Sequence, residues 1–208
     1  MAEPSYPLSI PTTPSNFSTS EWTIIRTVAV SQSPFTYKSQ SADFGGAIWQ
    51  TTVELPIMNR EQSSLWTSFF MQLHGRAGTF LLGDPDARAI RGGLTSSIQT
   101  NTTASVGAYD IVIDGANAST LIFKAGDYIQ LGSGASSKLH MIVANVTSNS
   151  SGVATLPIEP PLKTAIGNDS QVIYENTKAV MRMDTNDLGW SANQSNNYKF
   201  SFTCSEVI

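Results

Sequence analysis

The sequence predicts a mainly β protein with one α-helix, in which a first β domain is interrupted by a small closed β-barrel. Three observations carry that prediction. β-rich, alternating segments stand near both ends of the chain. Between residues 59 and 75 apolar positions recur at helical spacing. From about Ile90 onward, short strand-like runs follow one another between glycine- and serine-rich turns, with no helix of any length.

Residues 1–20 are rich in Pro, Ser and Thr and lack periodicity, which predicts an extended arm able to lie against a neighbouring subunit. EWTIIRTVAVSQS and DFGGAIWQTTVELP follow as two strands, with Trp22, Ile24, Val28, Trp49, Thr51 and Val53 in partial alternation. NREQSSLWTSFFMQLHG then predicts a helix whose apolar stripe is Leu65, Trp66, Phe69, Phe70 and Leu73. Asn59 suits its N-cap, and Gln62 three residues later completes a weak capping box. Gly75 fits the left-handed position just past its end.

The next stretch, HGRAGTFLLGDPDARAIRGG, concentrates glycines, arginines and aspartates as active-site loops do. A phosphate loop, however, needs its glycines before a helix and a lysine after them; here they follow a helix, precede a strand, and no lysine is present. A Gly-x-x-Gly nucleic-acid clamp lacks its flanking helices and basic surround. Gly75 closes the helix, Gly78 turns the chain into strand Thr79–Leu82, and Gly83-Asp84-Pro85-Asp86 is a turn. Arg91-Gly92-Gly93 lets the chain leave one domain for another.

YDIVI, GDYIQLG, SKLHMIVANV, GVATLPI and QVIYE are five short strands of a small barrel, with LKTAIGNDSQ as its last long loop. After Lys178 longer alternation returns: AVMRM, then NNYKFSFTCSEVI with Tyr198, Phe200, Phe202 and Cys204 on one face. So regular a strand needs a sheet, and the first segment has too few strands to stand alone. The expected organisation is an arm (1–20), a discontinuous domain (21–92 with 178–208) and an inserted barrel (93–177).

Charged residues make up only 13% and the net charge is -4, which argues against nucleic acid as a partner, since neutralising phosphates takes clustered Lys and Arg. No apolar run approaches the ~18–20 residues that span a bilayer. MAEPSYPLSIPTTPSNF has neither a basic start nor a continuous apolar core, so cytoplasmic synthesis without a secretory signal is expected. The one cysteine, Cys204, rules out an internal disulfide, and its alternation with Phe200 and Phe202 makes it a core thiol. Asp84 and Asp86 have no companion ligands nearby in sequence and suit a surface turn, so no metal, cofactor or catalytic residue is expected. His74 and His140 fall in different domains. A Ser-His-Asp triad assembled in space would draw on them, but no Gly-x-Ser-x-Gly elbow supports one. Tyr109, Tyr128 and Tyr174 are the barrel's candidate ligand residues: as stacking platforms they would make it a carbohydrate-binding module, the alternative being that they pack within the barrel.

Two segments together resemble a known family. LWTSFFMQLHGRAGTFLLGDPDARAIRGG is similar to the belt domain of siphophage distal tail proteins, the rings that join a phage tail tube to its tip. FKAGDYIQLGSGASSKLHMIVANVTSNSSGVATLPIEPPLKTAIGNDSQVIYENTKAVMRM resembles the barrel domain of the same family. The pieces cover a little over two-fifths of the chain in the family's order; the Pro-rich arm has no matching motif. The resemblance implies a β-sandwich belt domain with one helix, interrupted by an oligonucleotide/oligosaccharide-binding-type (OB-like) barrel. It implies a structural virion protein rather than an enzyme: a hexameric ring around the DNA channel, with tail tube protein, tail tip or hub protein and side fibres as partners. In such a ring Arg76, Arg88 and Arg91 are the candidate contacts between subunits.

Overall fold

A computed structural model describes residues 4–14, 16–192 and 197–208. The first domain contributes β1 (Leu8–Ser9), β2 (Thr19–Gln32), β3 (Ser39–Glu54), α1 (Arg60–Leu73) and β4 (Phe80–Leu82). The insertion follows with β5 (Ile98–Thr100), β6 (Asp110–Asp114), β7 (Leu121–Phe123), β8 (Tyr128–Leu131), β9 (Lys138–Ile142), β10 (Val146–Thr147), β11 (Ala154–Glu159) and β12 (Gln171–Ile173). The chain then returns through β13 (Ala179–Met183), β14 (Trp190–Ala192) and β15 (Tyr198–Glu206). The protein is mainly β, with one helix among the described residues and a closed inserted barrel.

Strand order in the first domain is β1-β4-β13-β15-β3-β2, with β14 paired to β15. The C-terminal strand therefore lies in the middle of the sheet begun at the N-terminus, with Phe202 opposite Val53 and Cys204 opposite Thr51. Helix α1 covers the apolar face. Its capping box forms as the sequence indicates: Asn59 Oδ1 accepts from Gln62 N–H at 2.9 Å, and Gln62 Oε1 accepts from Asn59 N–H at 3.2 Å. The left-handed residue at its end is His74 (φ 50), with Gly75 (φ +66) continuing the turn. Trp66, Phe69, Phe70, Phe80, Phe200 and Phe202 interlock with ring centroids 5.2–6.3 Å apart. Each such buried ring contributes roughly 1.5–3 kcal/mol by leaving water. Leu65, expected in this stripe, is half exposed: the buried face runs through Ser63, Trp66, Phe70 and Leu73, and Leu65 lies one position off its axis.

The N-terminal segment packs on its own chain. Leu8 pairs in parallel with Phe80, Tyr6 Oη donates to Gln72 O (2.7 Å), and Trp66 Nε1 donates to Thr13 O (3.1 Å). Phe17 meets Trp66 edge-on. Its last expected residues, Thr19 and Ser20, already belong to β2.

The barrel closes in the order β11-β6-β5-β12-β8-β9, with β7 and β10 paired beside it. It has six strands where five are expected, because the Thr- and Ser-rich run after Gly93 contains β5. Ile98, Ile111, Ile113, Ile129, Ile142, Leu156 and Val172 fill it. Two glycines show how tightly the domains join. A side chain at Gly83 would begin 1.8 Å from Thr177 O, and one at Gly92 would begin 1.8 Å from Ile122 O. The outer face of the barrel is docked on the sheet. Trp49 Nε1 donates to Leu139 O (3.0 Å), and Lys178 N–H donates to Gln130 Oε1 (2.9 Å). Lys163 and Glu206 form a buried ion pair across the junction.

Candidate functional site

The most unusual surface is the ribbon formed by β2 and β3. Fourteen residues of β2 extend roughly 45 Å at strand rise. From Ile25 to Gly45 every residue is exposed except Ser33, which is half-buried. A bulge begins this bare half. Arg26 pairs with Ala47 but Val28 pairs with Asp43, so Thr27 faces three residues of β3. Gly45 takes φ +72, and a Cβ at Gly46 would meet Thr27 Oγ1 at 2.4 Å, so the two glycines are what the bulge requires. Val28, which sequence alternation groups with the inward positions, emerges beyond the bulge 47% exposed.

The tip is organised by Ser33. Its backbone N–H donates to Lys38 O and its carbonyl accepts from Tyr37 N–H, both at 2.9 Å. Its hydroxyl accepts from Phe35 and Thr36 N–H, each at 3.4 Å. This local bonding holds Phe35 out at 92% exposure and Tyr37 at 76%. Val30 and Phe44 add 67% and 72% exposed apolar side chains along the shaft. β2 also ends the sheet, so its outer row of N–H and C=O groups has no strand partner among the described residues. A long, weakly charged edge of this kind is a template for pairing unless another chain covers it. The sequence signal for the tip is the Ser-Pro-Phe-Thr-Tyr turn between two strands, in which nothing local marks the two aromatic residues as exposed.

The three arginines divide. Arg91 is committed within the chain: its Nε donates to Asp127 Oδ1 at 2.9 Å and its Nη2 to Ala125 O, fastening the domain exit to the barrel. Arg88 reaches Asn16 Oδ1 (3.2 Å) in the N-terminal segment. Arg76 is exposed just past α1, and its backbone N–H donates to Asn186 Oδ1.

The three tyrosines do not form one platform. Tyr128 is buried against the first domain, edge-on to Trp49 at 5.8 Å, so it cannot stack on a ligand. Strand alternation explains this: Tyr128 and Gln130 face the sheet while Ile129 and Leu131 fill the barrel. Burial, aided by the charge of Asp84, pushes its phenol up to about 12. Tyr174 is half-buried, with its hydroxyl donating to Ser96 O (3.1 Å) and its ring edge-on to Phe123. Tyr109 is 45% exposed.

The residues weighed for catalysis stay apart. Asp84 caps a short turn, its carboxylate accepting from Asp86 N–H at 3.0 Å, and burial raises its pKa. Cys204 is fully buried in the sheet and burial raises its thiol pKa, which keeps it protonated. His74 ends α1 on the surface, whereas His140 lies inside the barrel end with Nδ1 bonded to Pro160 O at 2.7 Å. Burial, with Lys163 and Lys138 nearby, lowers its pKa to about 4, so its imidazole is neutral at pH 7. Among the described residues no group of three or more His, Cys, Asp or Glu is placed to hold a metal ion, and no helix is long and apolar enough to cross a membrane. No protein-family model and no curated protein matches the chain.

Proposed function

We propose that the chain is a structural protein that assembles through its β2–β3 ribbon into a closed ring, the distal tail ring of a siphophage. The observation that carries this reading is the bare half of the ribbon. A two-stranded ribbon is at best marginally stable in water, and this one displays Phe35, Tyr37, Val30 and Phe44 with an open edge. A second copy is the partner that fits, because a ribbon leaving one side of a subunit makes a heterologous contact that a ring closes.

Six copies would surround the channel through which DNA passes, between the tail tube protein and the tail tip or hub protein. The barrel would face outward as a decoration or a platform for side fibres. On this reading the protein is made in the host cytoplasm and works in the virion. The uncovered face of the sheet supports a channel lining. Its rows are Thr19–Glu54–Ser201, Glu21–Thr52–Thr203 and Thr23–Gln50–Ser205–Arg182, polar groups in which the carboxylates of Glu21 and Glu54 outnumber the one guanidinium, so no excess of cations holds a polyanion back.

The experiment is light scattering after size exclusion, with negative-stain images, on the protein with and without tube and tip partners. Six-fold rings are expected, and Phe35→Asp is expected to leave a folded monomer. A strictly monomeric wild type in the presence of both partners overturns the proposal. Arg76→Glu tests a second contact: assembly is expected to be impaired with the fold intact, and unchanged assembly removes Arg76 from the interface.

A further inference from the structure

A cavity of about 340 Å³ opens at one end of the barrel, lined by Leu131, Lys138, His140, Leu162, Thr164 and Ile173 among others. Its size suits a small molecule. The register says how two polar side chains come to be there. Lys138 pairs with Leu131 and His140 with Ile129, so both project on the side of β9 that carries Ile142 into the barrel core. In an otherwise apolar barrel these are costly residues to bury.

Their partners are incomplete. Lys138 is only 8% exposed and donates from Nζ to one neutral acceptor, Val207 O. It makes none of the ion pairs among the described residues. Its neighbour Lys163 is already matched by Glu206, so the cluster of Lys138, His140, Lys163 and Glu206 carries one uncompensated positive charge. His140 is 1% exposed. With Nδ1 donating to Pro160 O, Nε2 is left as an acceptor with no protein donor among the described residues. A buried ammonium lacking a counter-ion and a neutral imidazole acceptor two residues along one strand are complementary to a ligand with an oxyanion and a hydroxyl.

We propose that this barrel-end cavity is a binding site for a small hydroxylated oxyanion, with Lys138 pairing the carboxylate or phosphate and His140 Nε2 accepting from the hydroxyl. The cavity is lined by barrel residues, none of them in the bare outer half of the β2–β3 ribbon, and binding there does not depend on ring assembly. It also replaces the tyrosine platform as the part of the barrel able to recognise a ligand.

The test titrates the full chain with glucuronate, inorganic phosphate, acetate and glucose, following heat of binding and the nitrogen resonances of Lys138 Nζ and His140 Nε2. Glucuronate, carrying both groups, is expected to bind at least ten-fold more tightly than glucose or acetate and to shift both resonances. Phosphate in place of glucuronate as the tighter ligand would identify the oxyanion as a phosphate. Lys138→Met is expected to weaken glucuronate at least ten-fold with an unchanged melting temperature. If Lys138→Met fails to fold, the wild-type resonances decide. Equal binding of glucose and glucuronate, retention of glucuronate by a folded Lys138→Met, or no binding by any probe overturns the proposal.

Discussion

The two halves of the β2–β3 ribbon share a pair of strands and one hydrogen-bond ladder, yet they lead opposite lives. In the inner half, Trp22 and Trp49 meet edge-on at 6.2 Å, Val53 is wholly buried and Glu54 pairs with Lys199. In the outer half, beyond the bulge at Thr27, no other described residue of the chain covers either face. Strand-forming residues alone do not decide which side of a folded protein is inside. The inner half is apolar because its own domain needs a core, whereas the outer half leaves Val30, Phe35, Tyr37 and Phe44 in water, the kind of exposed apolar surface on which the proposed assembly rests.

That contrast can be broken at its strongest point by Trp49→Ala. It removes the edge contacts to Trp22 and Tyr128 and the Nε1 bond to Leu139, and is expected to cost about 3–5 kcal/mol in urea unfolding. A cost below about 1 kcal/mol would mean the inner half is no better anchored than the outer. Acid probes the same anchored end through the docked barrel. His140 titrates near 4 in the folded chain against 6.5 when unfolded, so between those values the unfolded chain holds more protons. Stability is therefore expected to fall as pH drops from about 6.5 to about 4, by about 3 kcal/mol, and His140→Asn should flatten that slope. A wild-type stability independent of pH across this window would contradict the burial of a neutral imidazole.

Arg26 marks the frontier between the halves, paired at 2.9 Å with Glu159 of the barrel while both remain partly exposed. Arg26→Ala is expected to cost under about 1 kcal/mol, measured by the shift in urea midpoint. In the outer half, Val30→Asp and Phe35→Asp should move monomer stability by no more than about 0.5 kcal/mol while abolishing assembly in light scattering. A large loss of monomer stability from either would show that the outer half packs on its own chain after all.

Local chemistry was legible in the sequence wherever the partner residues are close along the chain. Asn59 and Gln62 announced the helix start, and Gly83 through Asp86 announced the turn. The regular alternation from Tyr198 to Cys204 demanded a sheet and so exposed the discontinuous domain. Features set by distant neighbours were harder to read. Val28 alternates in step with Trp22 and Ile24, but it lies beyond the bulge opposite Gly45 and Gly46, where the ribbon is exposed on both faces. Tyr128 sits in a barrel strand, but its ring belongs to the other domain's core, because the outer face of β8 is the docking face. β5 is three residues long in a Ser- and Thr-rich run, too short for periodicity to register. Lys138 is a polar residue in a strand, which reads as exposed until the barrel closes around it.

Leu82 and Ala179, the last and first sheet residues on either side of the insertion, are directly paired. The chain thus departs for the barrel and comes back at neighbouring points of an intact ladder. Such a junction behaves as a socket: in evolution or in the laboratory, a short hairpin turn or a different module could be spliced there without rerouting a single strand of the sheet. One condition comes with the exchange. The barrel lends Tyr128 and Leu139 to the core around Trp49, so any replacement has to bring its own apolar lid for that indole.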